Sequence, residues 1–120
     1  MYQVEFYHDK NDFSDIVEYL DELYDKGKTS KTARINHNKI MAHIDLLETH
    51  GTYIGEPVVK HISNDIWELR PLRNRIMFFY WKDKKFILLS HFIKKSNKTP
   101  QSEIGKAQAR IDDHIERYGE

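Results

Sequence analysis

The run Ile66-Trp67-Glu68-Leu69-Arg70-Pro71-Leu72-Arg73-Asn74-Arg75-Ile76-Met77-Phe78-Phe79-Tyr80-Trp81 decides the fold, together with Phe86-Ile87-Leu88-Leu89-Ser90-His91-Phe92-Ile93 after a four-residue break. Aromatic and β-branched residues dominate three short stretches, 66–70, 75–81 and 86–93, and this texture predicts a strand meander. Pro71 lacks the N–H that a central ladder needs, so Pro71-Leu72-Arg73-Asn74 is the first connection. Lys82-Asp83-Lys84-Lys85 is a polar turn and makes the second.

Outward from the meander the periodicity changes. Upstream, Val4 and Phe6 alternate with Gln3 and Glu5 in Tyr2 to Tyr7, the pattern of a strand with one buried face. Phe13, Ile16, Val17, Leu20, Leu23 and Tyr24 then recur at helical spacing, with Asn11 as the expected N-cap and Gly27 as the stop. A second helix follows the cap candidates Thr29-Ser30, carries Ile40, Met41, Ile44 and Leu47, and ends at Gly51; a loop is expected around Gly55-Glu56-Pro57. Downstream, Thr99-Pro100 reads as an N-cap with proline at the first helical position, and Ile104, Ala107, Ile111, Ile115 and Tyr118 mark one face of a last helix. The expected order is β-α-α-β-β-β-α: an α+β domain with a mostly antiparallel, twisted sheet packed on two N-terminal helices and followed by a C-terminal helix.

The 120 residues allow one domain, 1–120, and five glycines and three prolines with 39% hydrophobic residues exclude a disordered or repetitive chain. No run approaches the roughly 18 apolar residues of a membrane span, and the first residues lack the layout of a signal peptide, so the expected location is cytoplasmic, with no membrane partner. The absence of cysteine fits that compartment and removes disulfides and thiolate chemistry.

Nineteen basic and nineteen acidic residues cancel, but not evenly. Between Lys60 and Lys98 ten cations (Lys60, Arg70, Arg73, Arg75, Lys82, Lys84, Lys85, Lys94, Lys95, Lys98) meet three acids (Asp65, Glu68, Asp83), a local excess of seven. The first helix carries Asp12, Asp15, Glu18, Asp21, Glu22 and Asp25 on its outer face. Such separation suits a polyanion at the basic part and a cationic partner at the acidic one, although a solvated helix face is the simpler account of the acids.

If the last strand of the meander returns beside the one before it, Lys94, Lys95 and Lys98 come back to Arg70, Arg73 and Arg75. Converging cations suit RNA phosphates; most of the ring-bearing residues from Phe78 to Trp81 should be buried instead. Asp65, Glu68 and Asp83 are scattered, so no carboxylate cluster for a metal ion is expected, and His8, His37, His43, His50, His61 and His114 show no ligand spacing. No phosphate loop, nucleophile elbow or dinucleotide fingerprint is present, and no cofactor is expected. RNA supplies its own nucleophile, the 2′-OH, and needs a base, cations for the phosphorane and an acid for the leaving 5′-oxygen. A lysine among cations, or His91, could move the proton; an imidazole inside a half-buried strand is an equally good reading of His91.

The segment Trp67 to Ile76, with Leu88-Leu89-Ser90-His91-Phe92-Ile93-Lys94-Lys95-Ser96-Asn97-Lys98-Thr99-Pro100, resembles the phage-derived, HigB-like branch of the RelE/ParE toxin superfamily. The shared pattern is an E-L-R segment, an arginine-bearing return strand and an F-x-K-K-x-x-x-T-P exit into the last helix. The resemblance implies the RelE-like fold and a type II toxin, a metal-independent mRNA endoribonuclease acting at the ribosome and neutralised by a helix-turn-helix, HigA-like antitoxin. It implies roles for Arg70, Arg75, Lys94 and Lys95; charge adds Arg73, Lys98 and Lys60. Near Ile104 the sequence lacks the terminal-helix tyrosine of RelE toxins, which shifts part of the acid–base role to His91 or a lysine. The expected catalytic group is thus Arg73, Arg75, Lys94, Lys95 and His91, with Arg70, Lys98 and Lys60 on flanking phosphates and Asp15, Glu18 and Glu22 facing the antitoxin. Two alternatives stay open: a gyrase-inhibiting toxin of the same fold, and a basic RNA-binding module without catalysis.

Overall fold

Two apolar faces on one sheet organise the chain. The computed structural model describes residues 1–120. In chain order the elements are β1 (Gln3–Phe6), α1 (Asp15–Lys26), α2 (Lys31–His50), a 3-10 turn (Gly51–Ile54), β2 (Val59–Ser63), β3 (Ile66–Leu69), β4 (Asn74–Tyr80), β5 (Lys85–Ile93) and α3 (Gln101–Tyr118). The sheet order is β1-β5-β4-β3-β2; β1 runs parallel to β5 and the other pairs are antiparallel. The α+β class therefore holds, with one strand more than expected. In β2 only Val59 is buried, so this edge strand carries too weak an apolar signal to be read from sequence; its pairing with β3 defines it.

Helices α1 and α2 cover one face, where Ile16, Leu20, Ile40 and Leu47 meet Leu69, Ile76, Phe78 and Leu88. Helix α3 covers the other, with Ala107 and Ile111 on Ile66, Met77, Phe79, Ile87 and Leu89. A central strand buried on both sides has no polar face, which is why Ile76-Met77-Phe78-Phe79 reads as an unbroken apolar run. At about 25 cal/mol per Å², each such side chain contributes roughly 1.5–3 kcal/mol by leaving water.

Two caps differ from expectation. Ser14, not Asn11, caps α1, its hydroxyl accepting the Val17 N–H, while Asp9 accepts the N–H groups of Asn11 and Phe13 in a turn ahead of the helix. Thr99 does not cap α3. Pro100 holds that position without a side-chain bond, and the Thr99 hydroxyl reaches into the sheet. Ser30 caps α2 and Gly51 ends it at φ +63°, where a Cβ would lie 2.8 Å from the Tyr2 ring.

A β-bulge in β5 decides which way the last residues of that strand face. Met77 pairs with Ser90 but Phe78 pairs with Leu88, leaving Leu89 as the extra residue. Leu89 and Ser90 consequently both face α3, and the alternation beyond them is inverted. His91, opposite Ile76, turns toward α1 and α2; Phe92, opposite Arg75, turns toward α3.

The β4–β5 turn holds Asp83 and Lys84 at φ +52° and +59°, and the Lys85 N–H closes it on the Lys82 carbonyl at 2.9 Å. Left-handed backbone disfavours a side chain at these positions. Lys84→Gly is therefore expected to raise stability by about 0.5–1 kcal/mol, checked by the midpoint of urea unfolding.

Candidate functional site

At the Ile93 end of β5 the two halves of the basic segment meet. The Arg73 Nη2 donates to the Lys94 carbonyl at 2.6 Å, and the Lys94 N–H donates to the Arg73 carbonyl at 2.7 Å. The connecting turn Pro71–Asn74 has Leu72 at φ +59° and closes with the Asn74 N–H on the Pro71 carbonyl at 3.0 Å.

Asn74 fixes this turn from beneath. Its fully buried amide donates through Nδ2 to Asn36 Oδ1 (2.8 Å) and the Pro71 carbonyl (3.1 Å). Its Oδ1 accepts from the Tyr19 hydroxyl (2.9 Å) and faces His91 Nε2 at 3.0 Å. Both donors and both acceptor positions of the amide are thus used. One side chain ties α1, α2 and β5 to the turn that carries Arg73 and Arg75.

On the α3 face lies Glu68, 1% exposed. Its Oε1 is 3.1 Å from Arg70 Nε and 3.7 Å from Arg75 Nε, and its Oε2 accepts the Thr99 hydroxyl at 2.9 Å. Arg75 is buried as well, with Nη1 donating to the carbonyls of Leu72 (2.8 Å) and Asn74 (2.9 Å). Burial, then the neighbouring Arg70, draws the Arg75 pKa below its ordinary value while Glu68 acts against them; a guanidinium remains charged regardless. Above this floor a depression of about 10 Å³ is lined by Glu68, Arg70, Arg75, Lys94, Lys98 and Thr99, among others. That is room for about one water, so a ligand approaches its rim rather than entering it.

Asn97, Lys98 and Thr99 also border a wider groove of about 390 Å³ that contains Lys60 and Gln101. Arg70, Arg75, Lys94 and Lys98 therefore share one mouth, Lys60 continues it, Arg73 edges it, and Lys95 is exposed on the segment after β5. Nowhere do three His, Asp or Glu side chains gather in a way that could hold a metal ion.

His91 is not brought to these cations. The bulge turns it to the opposite face, where its ring stacks on Tyr19 with centroids 3.9 Å apart, and its Nε2 carries the proton given to Asn74. Burial pushes its pKa down to about 4, Asp15 opposing and Lys106 adding. Asp15, expected on a partner-facing surface, is instead bound to α3, 2.9 Å from Arg110 and 3.8 Å from Lys106. Glu18 and Glu22 remain exposed. Glu68 and Thr99 went unrecognised as site residues because an acid amid arginines and a Thr-Pro pair each have a commoner explanation; the signal available was the Glu68–Arg70 spacing, two apart on one strand face.

The fold and this mouth define a small α+β domain with an ion-paired, cationic recess at one end of its sheet. The chain belongs to the family described as phage derived protein Gp49-like (DUF891), whose model matches residues 18–112, from α1 into α3. Comparison with curated proteins gives no match.

The buried ionisable groups set two measurable outcomes. Glu68→Ala leaves two guanidinium groups without their buried counter-charge and should cost about 3–5 kcal/mol in urea unfolding. For His91 the unfolded ring, with an ordinary pKa of 6.5, binds a proton at pH values where the folded ring, at about 4, does not. Stability is thus complete above about pH 6.5 and falls by roughly 2–3 kcal/mol as the pH drops toward 4. His43 and His114, also lowered by burial, act in the same direction. His91→Gln keeps a donor for Asn74 and should flatten most of the loss between pH 7 and pH 4.5.

Proposed function

We propose that the protein is the toxin of a type II toxin–antitoxin pair of the HigB-like branch of the RelE/ParE superfamily. On this reading it is a metal-independent endoribonuclease that cuts mRNA on the ribosome. The observation that carries the reading is the Glu68-held pair Arg70 and Arg75, opening onto Lys94 and Lys98. Membership of a phage-derived family and the E-L-R and K-K-x-x-x-T-P segments support it.

The chemistry asks little of such a mouth. A base takes the proton of the 2′-OH, the 2′-oxygen forms its bond to phosphorus, and the bond from phosphorus to the 5′-oxygen breaks as an acid protonates that oxygen. The product is a 2′,3′-cyclic phosphate. Arg75 and Arg73 stabilise the phosphorane, an electrostatic contribution for which cations already held in place need no reorganisation. Arg70, Lys98 and Lys60 take flanking phosphates. With His91 turned away, the proton transfers fall to Lys94 and Lys95. The partner is a helix-turn-helix, HigA-like antitoxin, with Glu18 and Glu22 offered to it and Asp15 retained by the fold.

Brief induction followed by primer extension tests this. The wild type should arrest growth and create new 5′ ends in transcripts; Arg75→Ala and Lys95→Ala should each reduce these ends at least a hundredfold, with surface-exposed Lys95→Ala keeping the fold. Intact transcripts with DNA damage signalling would point to gyrase inhibition instead, and intact RNA retained by the protein to binding without cleavage.

A further inference from the structure

At the opposite end of α3 lies a second, larger recess that the proposed reaction does not use. It has a volume of about 400 Å³ and is lined by Glu5, Phe6, His8, Trp81, Lys85, His114 and Tyr118. Its position follows from the sheet: Lys85 begins β5 whereas Phe92, which lines the first recess, lies next to its last residue, so the two recesses are separated by roughly 20 Å of strand.

The walls are flat rings. The His114 ring stands perpendicular to Trp81 at 4.5 Å and tilted to Tyr118 at 4.8 Å between centroids. Trp81 is fixed through its indole N–H, which donates to the Gly119 carbonyl at 2.7 Å. His114 is 6% exposed, and its Nε2 is buried without any hydrogen-bond partner. An unmatched imidazole nitrogen costs free energy where it stands. The charged groups also point to a ligand class. Lys82 and Lys85 lie over the Trp81 ring at 4.6 and 5.6 Å, which already fills the role of a cation on that aromatic surface. Glu5 is half exposed and only loosely paired with Lys85, at 4.0 Å.

We propose that this recess binds a guanine base bearing a phosphate. The exposed Tyr118 ring stacks on the base, Trp81 and His114 bound it, Lys82 and Lys85 take the phosphate, and Glu5 accepts from the adjacent N1–H and N2–H₂ donors that only guanine presents among the four bases. A volume of about 400 Å³ matches a site for such a ligand. The base could belong to a free nucleotide or to an RNA strand whose neighbouring phosphates reach the cationic mouth.

Trp81 provides the readout. Titration of the purified protein with GMP, AMP, CMP and UMP should quench tryptophan fluorescence saturably, with GMP at least tenfold tighter than the others. Glu5→Gln should abolish that preference and Tyr118→Ser should weaken binding at least tenfold; both side chains are exposed enough for the fold to survive. A short RNA carrying one 2′-O-methylguanosine separates the two sources. If it binds at least tenfold tighter than GMP, and Lys98→Ala removes the difference while leaving GMP binding unchanged, the base belongs to a strand; equal affinities assign a free nucleotide. Equal quenching by all four nucleotides, no quenching, or a guanine preference that persists in Glu5→Gln overturns the proposal. Transcripts cut normally by a wild-type protein that binds no GMP would refute this site and leave the nuclease reading standing.

Discussion

A carboxylate buried to 1% exposure is the constraint around which the sheet's α3 face is built. Taking Glu68 out of water is costly, and the cost is offset only while Arg70, Arg75 and the Thr99 hydroxyl surround it. Those partners come from the residue that follows β3, from β4 and from the segment leading into α3. Satisfying one acid therefore fixes where three parts of the chain stand. It also solves the problem that two guanidinium groups side by side repel each other; without an acid beneath them the mouth would spread.

The opposite face is organised around Asn74 in a comparable way but with neutral groups. Tyr19, Asn36, His91 and the Pro71 carbonyl complete its hydrogen bonds, and Leu72 and Arg73 ride above it. Arg73 and Arg75 flank this residue in sequence, so charge on one side of the strand and neutral hydrogen bonding on the other are set by adjacent positions. Successive strand residues point to opposite faces, and here each face has its own buried polar anchor.

Much of the architecture was legible from periodicity. The helical spacing of Ile16, Leu20 and Leu23, the stops at Gly27 and Gly51 and the turn at Pro71 all rest on strong local preferences that tertiary contacts reinforce. What escaped were features defined by pairing rather than by composition. β2 is a strand because β3 lies beside it, and Ser14 outcompetes Asn11 as a cap because Asp9 has already fixed the Asn11 and Phe13 N–H groups in a turn. At the candidate site, convergence of the arginines with Lys94 and Lys98 was readable from the meander. The orientation of His91 was not. Strict alternation from Ile87 and Leu89 puts it beside the cations, and the single residue gained at the bulge sends it to the other layer.

The Asn74 amide gives the cationic turn a second property. Its oxygen receives a hydroxyl from α1, the helix whose outer surface is the most acidic part of the molecule, and its nitrogen reaches α2. At 2.8 and 2.9 Å both contacts are of ordinary hydrogen-bond length, so separating the helical hairpin from the arginine turn would break them. The acidic hairpin and the turn that carries Arg73 and Arg75 are thus joined through one buried residue with no charge of its own.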